Sequence, residues 1–361
     1  MSLQQQVAFR PPGGESLEMD AFQPHPLLRG FHRMTLAPMF FRRDVKHPMP
    51  LTEKRVFEVD GQTSVLGLCS WQAERSPVLV MMHGFAGHAD RPYMRGTARK
   101  AFASGFHVVR LNMRNCGGTE HLAGSMYHAG LVSDLLAVIH ALRSEPLCGP
   151  VHLAGFSMGG NVVLRLGGLL GQRGCSDVRS LVAVSPVIDL AHCADNLDQQ
   201  RSVRVYRKSF LRGLRAVYNR RARLSPERYE PGRLAGVRTL RAFDELVTAP
   251  DCGFENADDY YSRASSRWEL QNLRIPSLVL HSQDDLIVPL SQDQLEELEA
   301  APMVTLLKSQ HGGHCGFVAG RVADSDADRY WAENRLVEYV NWIERTTTEV
   351  EVSSSHSANQ K

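Results

Sequence analysis

The chain has 361 residues, 43% of them hydrophobic and 22% charged, enough to bury one large core or two ordinary ones. A formal net charge of +2 excludes the strongly basic balance of a nucleic-acid binder. Cysteines at 69, 116, 148, 175, 193, 252 and 315 form no CxxC pair and fit no zinc signature, which points to reduced thiols in a cytoplasmic protein.

Residues 1–50 are rich in Pro, Gly and His, with short apolar clusters such as LAPMFF, and read as an arm packed on a core. Their start lacks the basic-then-apolar pattern of a secretory signal, and no run reaches the roughly 18 apolar residues that span a bilayer. The chain therefore reads as soluble. Eight β-like runs follow: RVFEV, SVLGLCSW, PVLVMMH, FHVVRLN, PVHLAGF, SLVAVSP, IPSLVLHS and MVTLLKS. From PVLVMMH onward several are continuously apolar, the mark of strands covered on both faces. Helix-period segments separate them, as over 128–143, where Leu131, Leu135, Val138 and Leu142 recur at helical spacing. Such alternation predicts an α/β fold with a mostly parallel sheet flanked by helices, over 51–187 and again over 266–346. Between them, 188–265 is polar and helix-prone and reads as a helical cap insertion. The polar stretch 347–361 reads as a disordered tail.

The stretch GFSMG, entered from an apolar strand and followed by a helical run, is a G-x-S-x-G nucleophile elbow around Ser157. Serine needs a base, and the base an orienting acid, in the chain order Ser, Asp or Glu, His. HSQDDLIVP places Asp284 and Asp285 after one strand, and SQHGGHCGF places His311 and His314 after the next. Spacing alone does not choose within either pair. Oxyanion donors are expected from the backbone N–H of Met158, after the serine, and of Phe85, in the glycine turn HGFAG. A metal site built from His83, His88, Asp90, His281, His311 and His314 lacks any HxHxD or HExxH spacing, so no metal or other cofactor is expected. Cys315 reads as a packing residue. Asp244 and Glu245 are expected in structural ion pairs.

HGFAGHADRPYMRG, VVRLNMRNCGGTE, YHAGLVSDL, GFSMGGNVVLR, RAFDELVTAP, GFENADDYYSRASS, HSQDDLIVP and HGGHCGF, in this order, resemble the blocks of the α/β-hydrolase superfamily. They are most similar to its YheT-like branch of predicted esterases, and PHPLLRGFHRMTLAP resembles that branch's N-terminal block. The resemblance implies Ser157 as nucleophile, Asp285 as acid and His314 as base, with Phe85 and Met158 holding the oxyanion. It also implies hydrolysis of a small-molecule carboxylic ester of short to medium acyl chain. Acylglycerol or phospholipid lipase activity, or acyl transfer to an alcohol, is the alternative on the same triad, and a scaffold without turnover is a further one. The segment RSVRVYRKSFLRGLRAVYNRRAR holds no acidic residue, and Val203, Tyr206, Phe210, Leu214 and Val217 share one helical stripe. Such a basic amphipathic helix is either a cap helix with a solvated outer face or a transient contact for a lipid surface.

Overall fold

The computed structural model describes residues 7–9, 17–40, 43, 47–174 and 178–358. An antiparallel pair, β1 (Val7–Phe9) and β2 (Leu17–Met19), and a helix, α1 (Phe31–Phe40), precede the central sheet. The sheet opens with a hairpin of β3 (Glu53–Asp60) and β4 (Thr63–Ser70). Strands and helices then alternate: β5 (Ser76–Met82), α2 (Pro92–Ala103), β6 (His107–Leu111), α3 (Val132–Arg143), β7 (Cys148–Phe156), α4 (Met158–Gln172) and β8 (Val178–Val184). The next segment is helical: α5 (Leu190–Gln199), α6 (Arg204–Leu224), α7 (Leu240–Phe243), α8 (Ala249–Cys252) and α9 (Ala257–Ala264). A π turn at Asp244–Thr248 joins α7 to α8. Alternation resumes with β9 (Ser277–Ser282), α10 (Gln292–Ala300), β10 (Val304–Ser309) and α11 (Trp331–Ala358).

The sheet order is β10-β9-β8-β7-β5-β6-β4-β3. Strands β5 to β10 are mutually parallel, while β4 runs antiparallel to both β6 and β3. The eight apolar runs of the sequence are these eight strands. Burial explains the difference in their patterning. Every residue of β6 and of β9 is buried, whereas β4 alternates and the edge strand β3 is largely exposed.

Side chains of β5 split between two layers because successive residues of a strand point to opposite faces. Leu79 and Met81 join Ala98 of α2 and Leu336 and Val340 of α11. Val78, Val80 and Met82 join Leu135 and Val138 of α3 and Val162 of α4. Helix α3 starts at Val132, later than the periodic pattern from 128, because the His128 imidazole accepts the Gly130 N–H and closes a turn first. At the other end α11 runs through Ala358, into the stretch expected to be disordered; residues 359–361 lie outside the described residues. The docked first half of α11 supplies the nucleus, and each added residue then fixes its backbone in return for one hydrogen bond. Among the described residues no helix is long and apolar enough to cross a membrane.

Desolvation holds three imidazoles of this framework neutral: His83 at about 4, His128 at about 3 and His281 at about 4. Their folded values lie below the ordinary 6.5, so the stability they bring is complete above that pH and is lost as pH falls. Asp244, raised by burial from 3.8 to about 6, acts with the opposite sign: its contribution is complete below 3.8 and is lost as pH rises through 6. Asp198, Asp326 and Glu338, also raised by burial, act in the sense of Asp244, and buried His152 is lowered as the other imidazoles are; the shifts of His83, His128 and His281 are the largest of these. The melting temperature should therefore fall as pH drops from 6.5 to 4, and a calorimetric scan showing it constant or rising there would contradict the neutral assignments.

Candidate active site

Strand β7 enters α4 through one residue, Ser157, whose φ of 55° and ψ of −117° lie in a region that L-residues rarely occupy. Strain of this kind costs on the order of 1–3 kcal/mol and persists only where neighbours over-determine it. Here the Ser157 N–H donates to Val184 O at 2.8 Å, and its carbonyl accepts from Asn161 and Val187. A Cβ on Gly155 would stand 2.2 Å from the Gly159 carbonyl oxygen, so the corner closes only with glycine there. The hydroxyl emerges at the N-terminus of α4, where the helix dipole favours negative charge.

The loop after β10 brings His314 to this corner. Its Nε2 lies 2.9 Å from Ser157 Oγ, across 157 residues of chain, and its Nδ1 lies 2.7 Å from Asp285 Oδ2. Asp285 is buried, and its Oδ1 accepts from the N–H groups of Ile287 and Val288 at 2.9 and 3.0 Å. The carboxylate is thus aimed by backbone. With Nδ1–H donating to Asp285, Nε2 is left as the acceptor for the serine proton. The two candidates that spacing left open, Asp284 and His311, face each other instead at 3.4 Å, and Asp284 Oδ1 accepts from Gly313 N–H at 2.9 Å. That second pair braces the loop.

Two further anchors of the loop escaped sequence reasoning. Thr35 of α1 accepts the His314 N–H at 2.9 Å from 279 positions away, and Ser185 Oγ accepts the Cys315 N–H at 3.1 Å. No local signal marks either residue: Thr35 meets the loop only where the folded arm lies beside it, and Ser185 only where β8 packs next to β9. The Cys315 thiol contacts Val184 O and is pushed far up by burial, which keeps it protonated as packing.

The turn after β5 is held by three side chains, one imidazole and two phenols. His83 Nδ1 donates to Gly84 O at 2.8 Å, while its Nε2 accepts from Met113 N–H at 3.1 Å. Tyr93 OH accepts from Gly84 N–H at 3.0 Å, and Tyr127 OH from Ala86 N–H at 3.3 Å. Between them the Phe85 N–H, like that of Met158, has no protein acceptor among the described residues. Both ring nitrogens of His83 are spent on the turn. Among the described residues no three His, Cys, Asp or Glu side chains gather as a metal-binding group.

Beside Ser157 lies a narrow cavity of about 60 Å³ lined by Phe85, Met158, Phe210, Leu240, Tyr260 and Ile287, with Asp244 among them. Phe210 of α6 packs edge-on against Phe85, ring centroids 5.4 Å apart. Gly213 permits that approach, since a Cβ there would sit 2.8 Å from the Ala86 Cβ. The expected ion pairing of Asp244 and Glu245 is not what forms. Asp244 accepts from Thr248 Oγ1 at 2.6 Å and Tyr261 OH at 2.7 Å, and Glu245 accepts from Ala257 N–H. The nearby cation Arg241 pairs with Asp195 and Asp258 instead, so hydroxyls replace it at the buried carboxyl.

The α/β hydrolase fold family matches residues 77–320. "Putative esterase YheT" of Escherichia coli (strain K12) is 30% identical over 87% of this chain and 92% of its own length. Human Phospholipase ABHD3 is 25% identical over 70% of this chain and 61% of its own. Among solved structures, Est1E from Butyrivibrio proteoclasticus aligns over 81% of this chain and 99% of its own with a TM-score of 0.52 at 14% identity.

Replacing Thr35 by Val strands the His314 N–H, at a cost of about 1–3 kcal/mol for an unsatisfied donor. Labelling of Ser157 by a fluorophosphonate reagent should then slow about tenfold, and an unchanged rate would show that the arm does not position the imidazole.

Proposed function

The chain belongs to the α/β-hydrolase family, in its YheT-like branch, and from that premise we propose that it is a serine carboxylic-ester hydrolase of short-chain acyl esters. The observation that carries the reading is the unbroken hydrogen-bond chain from Ser157 through His314 to Asp285, set beside two unspent backbone donors. Names of relatives such as Phospholipase ABHD3 support ester cleavage as the reaction class.

In the first half-reaction Ser157 Oγ attacks the ester carbonyl while His314 Nε2 takes its proton. Asp285 stabilises the imidazolium without itself becoming protonated. The tetrahedral oxyanion is held by the N–H groups of Phe85 and Met158, each worth about 3 kcal/mol in the transition state. His314 returns the proton to the leaving alcohol, and the C–O bond breaks to leave an acyl-enzyme. Water, deprotonated by His314, then attacks that ester and releases the acid.

Cavity size supports the short-chain specificity. A space of about 60 Å³ holds only a handful of waters, at roughly 10–15 Å³ each, and its lining is almost wholly apolar. Phe210 and Leu240 from the cap form part of that lining.

Ser157→Ala should lower turnover of p-nitrophenyl butyrate by at least about 10⁴-fold with the fold intact, leaving only the binding and oxyanion contribution. Full activity in that variant would end the assignment. Across a p-nitrophenyl ester series, kcat/KM should peak among the shortest chains, and a maximum at twelve carbons or beyond would overturn the short-chain specificity while leaving the triad standing.

A further inference from the structure

Helix α6 has two faces with different work. Tyr206, Leu214 and Val217 are buried against the core, and Phe210 lines the cavity beside Ser157. The opposite face carries Arg204, Lys208, Arg212, Arg215, Asn219 and Arg223, spaced by three or four residues so that they form one ridge along the axis. At 1.5 Å per residue that ridge is about 28 Å long. It borders a groove of about 610 Å³ whose lining holds Arg204, Arg207, Lys208, Arg212, Arg215 and Arg238 and no carboxylate.

Two of these cations are fixed in place. Arg207 donates to Asp198 O and Arg215 to Val237 O, both backbone carbonyls. Arg204, Lys208, Arg212 and Arg238 are exposed and make no ion pair among the described residues. Neighbouring carboxylates are engaged elsewhere: Asp198 accepts from the N–H groups of Leu240 and Arg241, and Glu120 pairs with Arg220. Val205, 74% exposed, stands among the cations on the same ridge.

We propose that this ridge docks the protein on an anionic phospholipid surface, with the cation row meeting headgroup phosphates and Val205 entering between them. A cationic row this long matches several phosphates at once, and a projecting aliphatic side chain suits a bilayer interface better than a nucleic acid groove. The net charge of the whole chain, only +2, gives no general attraction to polyanions, so the contact is confined to the cap. Because the buried face of α6 belongs to the fold, the helix stays in place and the contact is electrostatic, hence sensitive to salt. Docking would set the outer wall of the acyl cavity against the membrane, where esters partition.

The test is co-sedimentation of the full chain with vesicles of phosphatidylcholine alone or mixed with phosphatidylglycerol. Binding is expected only to the mixed vesicles at 50 mM salt, and it should disappear at about 0.5 M, where the Debye length is a few ångströms. The variant Arg204→Gln, Lys208→Gln, Arg212→Gln, Arg238→Gln should lose about fivefold in partitioning per cation removed. Its hydrolysis of soluble p-nitrophenyl butyrate should be unchanged. Ser157→Ala should bind vesicles as the native chain does, which separates this inference from the catalytic one. Equal sedimentation of the fourfold variant, or no binding to mixed vesicles at low salt, would overturn it. So would glycerol phosphate in solution, or duplex DNA, binding more tightly than the vesicles.

Discussion

The hydrogen bond between Ser157 and His314 depends on where parallel strands end. Register across the sheet pairs Leu111 with Met82, Met82 with Gly155 and Gly155 with Ala183, so these strands finish along one edge. The turns that leave this edge carry Phe85, Ser157, Asp285 and His314, one after each of β5, β7, β9 and β10. Open α/β sheets gather ligands and chemistry at this edge because helices cover both faces and leave it accessible. Loss of register in any one of the four strands would carry its residue away from the others.

Rigidity at that edge is assembled from backbone donors rather than from bulk. The Asp285 carboxylate takes two N–H groups, the His314 backbone is tied to Thr35, and the Phe85 turn hangs from Tyr93 and Tyr127. Each contact removes freedom from a loop that would otherwise sample several orientations, and preorganised donors need no rearrangement as charge develops. The strain held in Ser157 is the counterpart of that order.

Helix α6 joins this edge to the surface. Its inner face lines the cavity through Phe210, and Gly213 lets it lie close over the turn at Ala86. Its outer face is a run of arginines and one lysine with a solvent-facing groove. A single amphipathic element therefore faces both the cavity beside Ser157 and the solvent outside the cap.

Local patterns in the chain sufficed for the strand set, the elbow and the order in which its serine, the aspartates and the histidines occur: apolar runs, a glycine-flanked serine and polar turns at strand ends. They also determined the two-faced character of α6, which follows from helical spacing alone. Tertiary structure decided what rests on contacts between distant segments. Resemblance, not spacing, singles out Asp285 and His314, and the contacts that set them apart from Asp284 and His311 form only where β9 and β10 stand side by side. Thr35 gained its role only when the arm lay against the last loop, and Asp244 found hydroxyls in place of a cation only once α9 packed on the π turn. Hydrogen bonds act over about 3 Å of space and carry no trace in the number of residues between their partners.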